Sequence, residues 1–294
     1  MAATGNAVAY RWQPPNESTI PATAEGDLIR YGRELIANTA LYLGPKGKVA
    51  PITNGLNCQN CHIKAGTQPY GNAFAAVAAT YPRYRHRSGM VESIEFRIND
   101  CLMRSLNGQR IDSTSREMRA MVHYLEWLGK DVPKGIRPKE AGVQKLPFMD
   151  RAADTVQGRT VYVQKCQLCH GAKGQGLLNP EATAYVYPPL WGRNSYNTGA
   201  GLYRLSDFAA YVKDNMPFGT THANPQLTNA QAWDVAAFVN SQPRPYKAFK
   251  NDWPDISQKP VDQPFGPYAD SFSDYQHKYG PFGPIEKMKA GNRQ

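Results

Sequence analysis

Cys58-Gln59-Asn60-Cys61-His62 and Cys166-Gln167-Leu168-Cys169-His170 repeat one arrangement: two thiols two residues apart, with a histidine directly after the second. At that spacing both sulfurs can form thioethers with the vinyl groups of one haem, and the adjacent imidazole reaches the iron. A zinc half-site would want a second ligand pair of similar spacing, and a thioredoxin-like redox pair needs no trailing histidine. Two copies, both ending in His, read as two covalently bound c-type haems with His62 and His170 as proximal ligands.

A six-coordinate haem needs a ligand on its far side. Met216, in Asp214-Asn215-Met216-Pro217-Phe218, follows His170 by 46 residues and precedes a helix-capping threonine, Thr228. Met/His ligation raises the reduction potential and suits electron transfer. Laying Phe96 to Cys101 over Tyr211 to Met216 puts Cys101 in the ligand's place. Counting back from the closing helices lands on Leu102 instead, so spacing alone leaves both Cys101 and Met103 open. Cys101 is the fifth cysteine and has no sequence partner. It reads as a buried structural thiol, a thiolate ligand or a nucleophile, and the last two are compatible.

The surroundings of Cys101 are basic. Arg83, Arg85, His86 and Arg87 precede it, and Arg97, Arg104 and Ser105 flank it. Arg97 and Cys101 are four apart and share a face of any helix that spans them. Guanidinium groups near a thiol stabilise the thiolate and can clamp a small oxyanion through paired hydrogen bonds. The competing assignment for each arginine is a haem propionate or open water.

The elements that must position these groups fall into two similar halves, which a chain of 294 residues accommodates. Gly32-Arg33 leads into Cys58, and Gly158-Arg159 leads into Cys166. Leu28, Tyr31 and Leu35 mark one helical face upstream. Thr114-x-x-Glu117 predicts a capped helix carrying Met118, Met121, Val122, Leu125 and Leu128. Thr228-x-x-Gln231 predicts another with Ala232, Val235, Ala236 and Val239. The fold class expected is all-α: two tandem class I cytochrome c domains with an extended carboxy-terminal arm. The domains run over residues 1–135 and 154–242. A Pro/Gly-rich linker covers 136–153, and 243–294 is an aromatic arm packed over both.

Composition bounds the partners. With 41% hydrophobic and 20% charged residues the balance is that of a globular protein. The longest apolar run, Ala73 to Ala79, is too short to span a bilayer. The net charge of +10 goes with no helix-turn-helix, finger or RNA-binding signature, so nucleic acid is not expected. It fits small anions or an acidic redox partner. No secretory leader is legible, although this chemistry requires export. Met1 followed by Ala-Ala-Thr-Gly reads as a mature chain given a start codon.

Both haem motifs, Arg87, Arg97, Cys101, Ser105 and the arm DWPDISQKPVDQPFGPYADSFSDYQHKYGPFGPI together resemble the dihaem thiosulfate dehydrogenases, periplasmic enzymes that also act as tetrathionate reductases. The resemblance spans nearly the whole chain. It implies His62 and Cys101 as iron ligands of a catalytic first haem, with Arg87, Arg97 and Ser105 around the substrate. It implies His170 and Met216 on an electron-transferring second haem, and a soluble or membrane-attached cytochrome as electron partner. Some members carry Lys directly before the Met and exchange the two ligands; here that position is Asn215, with Lys213 two places back. The implied reaction joins two thiosulfates into tetrathionate, or runs in reverse. A plain dihaem carrier, or a cytochrome subunit of a multi-protein thiosulfate-oxidising complex, are the competing assignments.

Overall fold

The computed structural model describes residues 10–291; the amino-terminal start at Met1 to Gly5 lies outside them. Six longer helices organise the chain: α1 (Ala24–Ala37), α2 (Ile94–Arg104), α3 (Arg116–Leu128), α4 (Thr155–Lys165), α5 (Leu205–Asn215) and α6 (Asn229–Ser241). The first three surround one apolar core that includes Leu35, Leu43, Leu102, Met118, Met121 and Tyr124. The last three surround a second, with Tyr162, Phe208, Trp233 and Val239.

The glycines of the two Gly-Arg pairs explain the internal repeat. A methyl group on Gly32 would stand 1.9 Å from the Ala120 carbonyl oxygen, and one on Gly158 would stand 1.9 Å from that of Asp234. Tyr124 and Phe238, each four residues further along, close the same gap from the other side. In both halves, therefore, the first helix crosses the closing helix at backbone contact, and only a residue without a side chain fits the crossing.

The caps follow elementary hydrogen bonding, with one shift from the sequence expectation. Thr228 and Gln231 form the expected reciprocal capping box at the start of α6. At α3 the cap is Ser115, whose hydroxyl accepts from the Met118 amide, and not Thr114. Asp112 takes the amide and hydroxyl of Thr114 into its own turn, which moves the helix start by one residue.

Two short hairpins interrupt the all-α pattern: β1 (Arg83–Arg85) with β2 (Met90–Glu92), and β3 (Leu177–Leu178) with β4 (Tyr185–Tyr187). Strands of two or three residues are too short to announce themselves by periodicity. Alternation along β1 nevertheless sets its chemistry: Arg83 and Arg85 face the same way while Tyr84 turns to solvent.

The arm is less extended than its Pro and Gly content suggests. It ends in α7 (Asp274–Tyr279) and α8 (Gly283–Gly291), and Phe282 and Ile285 are buried in the second core. Pro284 sits in the first turn of α8, where a missing N–H costs nothing. The punctuation Gly280-Pro281-Phe282-Gly283-Pro284 thus hides two core anchors.

Gly32→Ala and Gly158→Ala are each expected to lower unfolding free energy by roughly 1–3 kcal/mol or more through overpacking. Denaturant unfolding of the holoprotein followed by circular dichroism measures this. Wild-type stability in both variants would show that the helix crossings relax freely.

Candidate haem-thiolate site

The first lobe holds a cavity of about 210 Å³, open at its mouth. Cys58, Cys61 and His62 form part of its wall, and Cys101, Arg97 and Ser105 form another part. Apolar side chains of Ile36, Leu56, Ile98 and Leu125 fill in between. Met103 is not in that wall; its sulfur accepts from Arg110 Nε at 3.4 Å on the outside. The geometry therefore separates the two sulfurs that spacing could not. Arg87 does not line the cavity either. It stands over the Trp253 ring, 5.8 Å away, and its carbonyl accepts from the Trp253 amide at 2.7 Å.

His62 is prepared as a ligand by its backbone. Its Nδ1 lies 2.6 Å from the Asn72 carbonyl oxygen and its ring stacks on Phe74 at 4.2 Å. Nδ1 must carry the proton to make that bond, which leaves the Nε2 lone pair free for a metal. Burial brings the imidazole down to about 4, against the opposing hydrogen bond to Asn72, so it is neutral at physiological pH. In the second lobe His170 repeats the device, with Nδ1 2.9 Å from the Pro188 carbonyl and its titration lowered by burial.

Helix α2 carries the distal wall. Ser93 caps its start, accepting from the Phe96 amide, and Asn99 ties its middle to Ile111 through two hydrogen bonds. Arg97 and Cys101 both lie within the helix, on neighbouring turns of one face. The thiol is the largest influence raising Arg97; it outweighs burial, and Asp100 adds to it. Burial alone would raise Asp100, yet the flanking Arg97 and Arg104 hold it below the usual carboxylate range. Burial, followed by repulsion from Arg104 and Arg97, draws Arg87 down to about 10.

At the second site, Cys166 and Met216 pack against the same core. Met216 is the residue that ends α5, in extended backbone. Asn215 before it is buried, donating to the carbonyls of Tyr70 and Tyr211 and accepting from Gln68. Lys213 is tied to the Leu227 carbonyl. The two sites are joined directly: the Tyr211 hydroxyl of α5 donates to the Asn60 carbonyl, inside the first C-x-x-C-H, at 3.0 Å.

The family model for the SoxA/TsdA cytochrome c domain matches residues 48–133, and the cytochrome c model matches residues 155–243. A thiosulfate dehydrogenase of Psychrobacter arcticus is 38% identical over 82% of this chain and 71% of its own length. One of Allochromatium vinosum is 36% identical over 81% of this chain and 88% of its own. The chain belongs to the thiosulfate dehydrogenase family. A solved thiosulfate dehydrogenase (TsdBA) from Marichromatium purpuratum superposes with a TM-score of 0.73 at 31% identity. It covers 81% of this chain, which spans half of that longer one.

As a member of this family with two cytochrome c domains, the protein carries two covalently bound c-type haems. Its residues fit the first of them on their own terms. No disulfide links any of the five cysteines, and Cys58 and Cys61 open onto the apolar cavity. The Nε of Arg83, in the same wall, is buried without a partner among the described residues, as a donor awaiting a propionate would be. Among those residues no cluster of three His, Cys, Asp or Glu side chains could hold a metal ion by itself. No helix is long and apolar enough to cross a membrane.

Sequence reasoning missed Asn72 and Pro188, which act through their carbonyls and carry no side-chain signal. It also missed Asp100, whose i+3 and i+4 spacing to Arg97 and Arg104 was a legible sign. Because His62 stays neutral down to about 4, the histidine-ligated spectrum of the reduced protein should hold from pH 7 to about 5. Ligand loss is expected only as the pH falls to about 4 or lower. A visible-absorbance titration checks this, and a transition near pH 6.5 would contradict it.

Proposed function

We propose that this protein is a periplasmic, dihaem, tetrathionate-forming thiosulfate dehydrogenase, with its reaction at the first lobe and its electron exit at the second. The observation that carries the reading is Cys101 in the cavity wall one turn after Arg97, with the C-x-x-C-H histidine in the same cavity. A carrier without a substrate has no use for a thiol and a guanidinium in place of a methionine.

In this reading His62 and Cys101 would hold the iron of the first haem, and His170 and Met216 that of the second. Each haem, when bound, accepts one electron, so the pair takes up the two that the reaction releases. Arg97 in the cavity wall offsets the charge of incoming dianions, Arg87 adds positive charge from beside Trp253 outside that wall, and Ser105 offers a hydroxyl at the cavity wall. The Cys101 thiolate forms a sulfur–sulfur bond with the outer sulfur of one thiosulfate as two electrons leave. A second thiosulfate then attacks that outer sulfur, releasing tetrathionate and returning the Cys101 thiolate; this exchange moves no further electrons. Run backwards, the same steps reduce tetrathionate.

Two apolar side chains in solvent support the exit. Leu168, inside the second C-x-x-C-H, is 97% exposed, and Phe218, two residues past Met216, is 89% exposed. They suit transient contact with a soluble or membrane-attached cytochrome. Export follows from the mode of haem attachment and from the family likeness.

Cys101→Ala is expected to keep both haems attached, by pyridine haemochrome content, yet lose thiosulfate-dependent ferricyanide reduction by at least about a thousand-fold, as removing a covalent catalyst does. Turnover near wild type would sink the mechanism. Arg97→Ala is expected to raise the KM for thiosulfate while leaving reduced-haem absorbance unchanged.

A further inference from the structure

Four charged side chains run in a line from the first cavity into the carboxy-terminal arm. Asp100 accepts from Arg97 Nη1 through Oδ2 at 2.7 Å and from Arg104 Nε through Oδ1. The rest of the Arg104 fork is taken by the arm: Nη1 donates to Asp252 Oδ2 and Nη2 to Asp252 Oδ1, each at 2.7 Å. The Phe249 ring lies 3.6 Å from the same guanidinium. Arg104 and Asp100 side chains are only 8% and 7% exposed, so their charges have little water to fall back on.

We propose that Asp252 is a positioning residue for the thiosulfate reaction, acting through Arg104 and Asp100 to set the direction of Arg97 beside Cys101. The inference rests on the functional reading above and extends it to a segment of the chain that does not line the cavity.

The physical reason is competition for one carboxylate. Arg104 has three nitrogens to satisfy in a buried place, and Asp252 takes two of them in the favoured bidentate form. That leaves Asp100 holding Arg104 by a single oxygen, with the other free for Arg97. Without the Asp252 charge, Arg104 would keep an uncompensated positive charge and draw both Asp100 oxygens to itself. Arg97 would then lose the contact that orients it. The local charge would also become one unit more positive, which favours the reduced state of the nearer haem.

A second anchor of the same arm provides the control. Asp262 accepts from Arg204 Nε at 2.9 Å and from the Ser206 amide at 2.9 Å, on the second lobe. Asp262→Asn loosens the arm without touching the charge line.

The test compares holoprotein variants by steady-state kinetics, redox titration and thermal unfolding. Asp252→Asn should raise the KM for thiosulfate about ten-fold, the usual scale for an outer-shell partner, and raise the potential of one haem. Asp252→Glu should recover most of both. Asp262→Asn should lower the unfolding midpoint with KM and the potential of the first haem at wild-type values. Wild-type KM and potentials in Asp252→Asn, or the same changes in Asp262→Asn, would overturn the proposal. If Asp252→Asn does not fold, Arg104→Lys keeps the charge but loses the fork, and the same KM rise is expected of it. If the wild type turns over no thiosulfate, the functional reading fails. The positioning claim is then decided by the redox titration of the first haem, whose potential must move for Asp252→Asn and not for Asp262→Asn.

Discussion

The proposed reaction needs a sulfur nucleophile in a largely apolar cavity with positive charge beside it, and the first lobe is organised to meet that constraint. Helix α2 supplies both partners from one face, Cys101 and Arg97, a turn apart. An arginine aimed into such a cavity also needs a group that holds its direction, since a desolvated guanidinium has several N–H donors to satisfy. Asp100 answers on the same helix, three residues on from Arg97. Arg104 then balances Asp100, and the arm balances Arg104. The site is thus a chain of alternating charges in which each inner member has an opposite charge on both sides.

Much of this was readable from residue types. The two C-x-x-C-H motifs specify haem attachment because thiols at that spacing with a trailing histidine suit the two vinyl groups and the iron of one haem, and the four-residue step from Arg97 to Cys101 needed only a helix to bring both into one cavity wall. What stayed hidden has physical causes. The carbonyls of Asn72 and Pro188 fix the two imidazoles, and a backbone group leaves no trace in residue type. Asp252 reaches Arg104 across 148 positions of sequence, and no local period reports such a contact. The Thr114 cap gave way to Ser115 because Asp112 competed for the same threonine. The arm's last two helices were masked by prolines, which mark turns and helix starts alike.

The arm also shows why a loop-rich tail is retained beside two complete helical cores. Its aromatic residues do separate jobs: Phe282 completes the second core, Phe249 covers the Arg104 guanidinium, and Trp253 holds the Arg87 carbonyl through its amide. Pro254 lies against the turn between β1 and β2, where a methyl on Gly89 would come within 2.5 Å of it. The hairpin that aims Arg83 and Arg85 at the cavity is therefore seated on the arm as well. One segment steadies basic residues from two separate elements.

The difference between the two lobes follows from side-chain reach. In the second, α5 stops at Asn215 and Met216 lies in extended backbone before Pro217, which cannot prolong the helix. A thioether is one methylene longer than a thiol and flexible, so it can reach an iron from a loop. In the first, α2 runs three residues past Cys101. A cysteine sulfur has a single carbon between it and the backbone, so the backbone itself must come to the cavity, and an unbroken helix holds it there. The shorter ligand leaves space that a methionine would fill, and that space is walled by Arg97 and Ser105. In the proposed reading one fold thus serves two sites: the helix before Met216 ends early at the electron-transferring haem, and the helix bearing Cys101 continues past it at the catalytic one.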